Sequence, residues 1–157
     1  MNIERPAPEA RLRAASLRVT APRLAVLAAV ESDPHADVET IAAAVRGRIG
    51  SVSTQAVYDV LRVLTGANLI RRIEPAGSPA LFETRVGDNH HHVVCRSCGI
   101  VGDIDCAIGT APCLESAASN GFAIDEAEIT YWGLCPDCQH SATSVPRPAG
   151  ATAPAPH

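Results

Sequence analysis

The sequence predicts an α+β protein, with an N-terminal winged helix-turn-helix domain followed by a small α/β domain that carries a four-cysteine zinc site. Three observations lead there. Apolar residues recur at helical spacing in three successive stretches of the first half, and two short strand-like runs follow them on either side of the turn-forming PAGSP. Two Cys-x-x-Cys pairs, Cys95/Cys98 and Cys135/Cys138, are separated by 36 intervening residues in the second half. Charge divides along the same line: residues 1–85 hold eleven arginines against nine acids, and residues 86–157 hold two against eight. A first half near +2 suits contact with a polyanion, and a second half near −6 suits cations or another protein.

The first helix is expected to begin at Thr20 as N-cap, with Pro22 in its first turn and Leu24, Leu27 and Val30 on its apolar face. Asp37 caps the second, whose stripe is Val38, Ile41, Ala42 and Val45, ending near Gly47 and Gly50. The third starts at Ser51 or Ser53, buries Val57, Val60, Leu61 and Leu64, and stops around Gly66. LIRRIE and ALFET then form the wing. On its outward face the third helix carries Thr54, Gln55, Tyr58 and Arg62. As a recognition helix it would bring Gln55 and Thr54 to base edges and Tyr58 to a thymine methyl or a sugar. Arg62, with Arg23, Arg71 or Arg72 around it, would take phosphates. A solvated face with an incidental tyrosine is the alternative from the helix alone, and the helix order plus the wing tips the balance toward recognition.

In the second half, VVC and IVGDID read as strands flanking CRSCG, SAASNG ends a short helix, and AEITYW leads as a strand into CPDC. The expected divisions are residues 1–84, a hinge at 85–89, a metal-binding domain at 90–140 and a disordered Pro/Ala-rich tail at 141–157. The chain has 157 residues and 46% hydrophobic composition, as expected for a soluble protein able to bury a core. No stretch reads as a membrane span. The charged amino end MNIERPAPEARLRAA lacks the apolar segment of a secretory signal, so a cytoplasmic location is expected, where cysteines stay reduced.

Four sulfurs from two Cys-x-x-Cys knuckles suit tetrahedral Zn²⁺, which would pin the carboxyl-terminal strand to the turn around residue 96. A redox pair or unrelated cysteines are the other readings. Cys106 and Cys113 remain, as two buried thiols or as a reversible disulfide that senses oxidant. In HHHVVCRSC, strand alternation puts His90 and His92 on one face and His91 with Cys95 on the other. Asp103 lies on the next strand-like run, where a hairpin brings it near His90 and His92, and Glu83 ends the wing. These donors, with His35, would make a mixed nitrogen and oxygen site suited to Fe²⁺, Mn²⁺, Ni²⁺ or Zn²⁺. Judged alone, His90 and His92 are the better ligands, and His35 is an ordinary helix-start histidine.

RVTAPRLAVL, SDPHADVETI, SVSTQAVYDVLRVL, VGDNHHHVVCRSCG and YWGLCPDC, in that order, resemble the ferric uptake regulator family, most closely its actinobacterial branch linked to catalase-peroxidase genes. The resemblance covers about residues 9–140. It implies a homodimeric metal-dependent repressor with a carboxyl-terminal dimerisation domain, binding a palindromic operator in double-stranded DNA. Its targets would include oxidative-stress genes and its own gene, in response to iron, peroxide or both. It also implies a regulatory metal at His35, Glu83, His90, His92 and Asp103, Fe²⁺ or Mn²⁺, a structural zinc at Cys95, Cys98, Cys135 and Cys138, and the recognition-helix tyrosine at Tyr58. Two departures stand out. A further site found in some members would fall here on Asn89, His91 and Ala127, a poor donor set, and Glu83 stands where peroxide-sensing relatives often carry aspartate. A zinc- or nickel-sensing repressor shares these donors. A metal buffer or chaperone shares the donors but has no use for a winged helix, and a zinc hydrolase would need a catalytic signature such as HExxH that the chain lacks.

Overall fold

The computed structural model describes residues 6–88, 90–105, 121–123 and 128–143. Its first half runs α1 (Pro8–Ala14), α2 (Ala21–Ser32), β1 (Ala36–Asp37), α3 (Val38–Ile49), α4 (Thr54–Gly66), β2 (Arg71–Ile73) and β3 (Leu81–Glu83). The second half runs β4 (His90–Cys95), β5 (Val101–Asp105), β6 (Thr130–Gly133) and α5 (Pro136–Thr143). The three expected helices are α2, α3 and α4.

Their apolar stripes make one core. Leu27, Val30, Ile41, Ala42, Val45, Val57, Leu61 and Leu64 are buried together, with Leu24 and Val60 packed partly against them. Each fully buried leucine contributes about 1.5–3 kcal/mol of transfer free energy, which outweighs the modest helix propensity of the β-branched residues. Asp37 caps α3 by accepting from the Thr40 amide at 2.8 Å, and Ser53 caps α4 by accepting from Ala56 at 3.1 Å. Thr20 occupies the N-cap position of α2 with extended backbone, but no hydrogen bond from its side chain caps the helix.

Helix α1 is an addition to the expected plan. Pro8 opens it, Leu12 is its one buried residue, and Arg11 pairs with Glu31 of α2 while donating to the Leu69 carbonyl at 3.0 Å. The wing is also larger than two strands. β3 pairs antiparallel with β2 on one edge and with β1 on the other, so Phe82 stands between Arg72 and Ala36.

The second sheet has the order β5-β4-β6, with β4 antiparallel to β5 and parallel to β6. β4 is central, with both edges paired, and His90, His91 and His92 on its two faces are all buried. His91 lies on the face opposite its neighbours and packs edge-on to Tyr131, with ring centroids 6.4 Å apart. Cys106, Cys113, Asn89, Ala127 and the expected SAASNG helix end, apart from Gly121, lie outside the described residues. Of the expected disordered tail, Ser141–Thr143 close helix α5, and residues 144–157 lie outside the description.

Candidate metal centres and DNA-facing helix

Five side chains from three regions converge beside the wing. The register pairs His92 with Asp103 and His90 with Asp105 across β4 and β5, so period-two alternation puts both histidines and Asp103 on one face. β3 supplies Glu83, buried at 1% exposure. The corner before β1 supplies His35, whose amide donates to the Phe82 carbonyl at 2.9 Å. His35 holds φ at +70°, a left-handed conformation that costs a non-glycine residue about 1–2 kcal/mol. That turn aims its ring at the other four donors.

The three imidazole Nε2 atoms surround one carboxylate oxygen, Glu83 Oε2, at 3.2 Å (His35), 3.1 Å (His90) and 3.1 Å (His92). Asp103 Oδ1 lies 2.8 Å from His35 Nε2, 3.8 Å from His92 Nε2 and 4.0 Å from His90 Nε2. Donor atoms of His35, Glu83, His92 and Asp103 fall within 4.8 Å of one another. Burial would raise the Glu83 carboxyl, but hydrogen bonds with His35, His92 and His90 hold it well below the usual carboxylate range. For His35, burial acts to lower the pKa, and the hydrogen bond and charge of Glu83 together with Asp103 raise it above its ordinary value. Protons and a divalent cation therefore compete for the same nitrogens, and a donor set of three imidazoles and two carboxylates suits a divalent first-row metal ion. A cleft of about 280 Å³ between the α2–β1 corner, the wing turn and the loop after Cys98 reaches His35 from solvent.

The supporting charges are not apparent from the sequence. Asp88 Oδ1 lies 2.8 Å from His90 Nδ1, leaving Nε2 to face the centre, and Arg85 contacts Asp88, Asp103 and Asp105. The one local signal was the Arg-x-x-Asp spacing at 85 and 88, which reads equally well as a solvated hinge.

Cys95 ends β4, Cys98 closes the following turn, Cys135 precedes α5 and Cys138 lies in its first turn. Gly99, at φ +76°, lets the chain reverse so that the Cys95 amide reaches the Ile100 carbonyl at 2.9 Å. All four sulfurs lie within 4.8 Å of one another, and Cys98 Sγ stands 3.7 Å from Cys135 Sγ. That is far longer than a disulfide of about 2.05 Å. It matches the roughly 3.8 Å edge of a tetrahedron with Zn–S bonds of about 2.3 Å. Amides of Cys98 and Cys135 pull the Cys95 thiol down to about 6. A bond from Ser97 favours ionising Cys138, yet the sulfurs of Cys135 and Cys98 outweigh it and push that thiol up to about 12. Four thiolates this close repel unless a cation sits among them, so the cluster is consistent with a structural zinc.

On α4, Gln55 and Arg62 are exposed and Tyr58 is 49% exposed, despite its large ring. Gln55 and Arg62 both lean on Asp59, at 3.3 and 3.4 Å. Thr54 accepts from Arg46 at 2.8 Å, and Arg23 donates to the Arg18 carbonyl at 2.8 Å. Arg71, expected on the phosphate-facing surface, turns inward instead: its side chain is 16% exposed and its Nε is 4.0 Å from Glu83 Oε1. In a strand of three residues, one step of alternation moves an arginine to the other face, and Arg72 takes the exposed position.

The ferric uptake regulator family profile matches residues 14–132. The transcriptional regulator FurA of Mycobacterium tuberculosis (strain H37Rv) is 63% identical over 137 residues, covering 87% of this chain and 93% of its own length. Ferric uptake regulation protein 1 of Mycolicibacterium fortuitum is 61% identical over 121 residues, covering 77% of this chain and 75% of its own. Among solved structures, the ferric uptake regulator of Pseudomonas aeruginosa with manganese superposes with a TM-score of 0.67 at 27% identity, covering 83% of this chain and 99% of the other. By profile, identity and fold alike, the chain belongs to the ferric uptake regulator family, a family of transcriptional regulators and not of enzymes.

Proposed function

We propose that the chain is a homodimeric repressor in which a divalent cation, Fe²⁺ in the cell and Mn²⁺ as its stable substitute, fixes the DNA-binding half against the dimerisation half. One observation carries this reading: His35 and Glu83 come from the winged-helix half and His90, His92 and Asp103 from the other, yet they gather around the Glu83 carboxylate, where donor atoms of His35, Glu83, His92 and Asp103 lie within 4.8 Å of one another and His90 Nε2 lies 3.1 Å from Glu83 Oε2. A cation there has its full ligand set only when the halves are together, so it selects the closed arrangement. Closed dimers present two α4 helices at a fixed separation, as a palindromic operator in double-stranded DNA requires. Zinc at Cys95, Cys98, Cys135 and Cys138 holds the second sheet to α5 and stays in place throughout.

The test is operator binding to the DNA upstream of the protein's own gene, with and without Mn²⁺ or Fe²⁺. Tight binding only with the ion is expected, and equal binding without it would remove the reading. Tyr58→Ala is expected to weaken operator affinity roughly tenfold, the low end of what one base contact contributes, with Mn²⁺ affinity unchanged. Anisotropy and calorimetry measure the two separately. Unaltered DNA affinity would take Tyr58 out of the interface.

The same geometry also supports a peroxide response. Fe²⁺ held by these residues would supply the reductant for hydrogen peroxide, and the imidazoles of His35, His90 and His92, whose Nε2 atoms face the centre, would be the oxidisable groups beside it. An oxidised imidazole no longer offers its nitrogen lone pair, so the halves lose a shared ligand and DNA is released. Hydrogen peroxide is expected to release the Fe²⁺ form from operator and leave the Mn²⁺ form bound. If neither form is released, the chain responds to iron alone, the outcome that Glu83 in place of aspartate favours.

A further inference from the structure

Arg85 stands two residues after Glu83, in the segment that joins the two sheets, and its guanidinium binds three carboxylates at once. Its Nε and Nη2 donate to Asp88 Oδ2 at 2.8 and 2.6 Å. Nη1 donates to Asp103 Oδ2 at 3.3 Å, and Nη2 to Asp105 Oδ1 at 2.8 Å. Each bond bears on the five-residue centre in a different way. Asp103 turns Oδ1 toward His35, so the guanidinium engages the oxygen that the centre does not use. Asp88 keeps its other oxygen, Oδ1, on His90 Nδ1 at 2.8 Å, which orients His90 Nε2. Asp105 lies on the same face of β5 as Asp103 and opposite His90 in register, but its side chain is 85% exposed and turned onto Arg85.

We propose that Arg85 is a positioning residue that sets the donor count of the regulatory centre, limiting Asp103 to one oxygen, fixing His90 through Asp88, and holding Asp105 away. The chemistry requires arginine. A planar guanidinium offers five N–H donors in a fixed fork and can serve three carboxylates in defined directions, whereas an ammonium offers a compact point charge. Without the fork, Asp103 is free to bind through both oxygens and Asp105 is free to swing in, while His90 loses its orienting partner. Because Arg85 belongs to the inter-sheet segment, its bonds to Asp103 and Asp105 also fasten that segment to β5.

The inference rests on the metal reading of the centre, and its test separates the two. Arg85→Gln is made in the full-length protein with the four-cysteine site zinc-loaded, and Mn²⁺ is titrated by calorimetry while Co²⁺ is followed through its d–d absorption. Mn²⁺ affinity is expected to fall about 10–100-fold, the usual cost of losing an outer-shell partner. The Co²⁺ bands are expected to weaken, since they lose intensity as coordination number rises, and Arg85→Lys should restore neither readout fully. A wild-type protein that takes up nothing beyond one zinc per chain overturns the metal reading. Wild type that binds a second ion, with Arg85→Gln matching it in affinity and spectrum, overturns the positioning role alone. If Arg85→Gln fails to fold, Asp88→Asn tests the His90 arm by itself, and unchanged Mn²⁺ affinity there also overturns the proposal.

Discussion

Cys135→Ser is expected to abolish zinc binding, unfold the second half of the chain and, with it, eliminate the dimer and operator binding, while the helical first half stays folded. The two halves differ in what holds them. Among the described residues, the buried apolar side chains from Leu12 to Phe82 lie before residue 85, and only Val94 and Cys95 are buried apolar side chains after it. The described part of that half, three short strands and one helix, buries too little apolar surface by itself to offset its ordering entropy. A structural zinc ion supplies about 10–16 kcal/mol of apparent binding free energy in small metal-dependent domains, comparable with the ~5–15 kcal/mol that stabilises a typical domain. Cys135 Sγ stands 3.7 Å from Cys98 Sγ, and its backbone amide donates to Cys95 Sγ at 3.3 Å, so it ties both knuckles together. Metal analysis should give less than one zinc per chain, size exclusion a monomer, and far-UV circular dichroism a largely retained helical signal. A variant that stays dimeric with one zinc per chain would show that the second half stands without the ion.

Much of this architecture is legible in the sequence because its signals are local. Stripes such as Val57, Leu61 and Leu64 repeat often enough over α4 to fix both helix and buried face. A Cys-x-x-Cys knuckle is four residues long, and the β4–β5 hairpin between the two halves of the donor set is short, so Asp103 falls opposite His92 as strand pairing predicts. What stays hidden depends on tertiary contact. α1 has one buried residue, Leu12, too few for a period, and β1 has two residues, too few for alternation. His35 becomes a donor through a left-handed turn and a bond to Phe82, 47 residues away, so on local grounds it reads as a plain helix-start histidine and only the family resemblance assigns it. Arg71 illustrates the limit from the other side: charge alone points to phosphate, and the strand's register turns it toward Glu83. Arg85, Asp88 and Asp105 look like a solvated hinge until the fold brings them onto one guanidinium.

His92→Ala is expected to abolish metal-dependent operator binding while leaving the zinc and the dimer intact. His92 is fully buried, and its Nε2 is 3.1 Å from Glu83 Oε2 and 3.8 Å from Asp103 Oδ1, so it faces both carboxylates of the centre. Moving a two-state equilibrium from about 1:99 to 99:1 needs roughly 5.5 kcal/mol of differential affinity for the ion. Outer-shell partners of metal ligands are worth about 10–100-fold in affinity, and a ligand itself at least the upper end of that range. A loss of about 100-fold removes roughly 2.8 kcal/mol, so even a saturated variant would stand near 1:1 between open and closed forms. Saturation is itself harder to reach with the weaker site, and a dimer needs both halves closed to engage two half-sites, so the loss compounds. The zinc knuckles lie at the far end of β4 and share no donor with the centre, which is why zinc content and dimer should survive. Anisotropy against operator DNA over a Mn²⁺ titration measures the loss, with zinc content and dimer mass as controls. Wild-type affinity at wild-type Mn²⁺ concentrations would mean that the ion acts elsewhere, and the convergence of the five donors would then need another explanation.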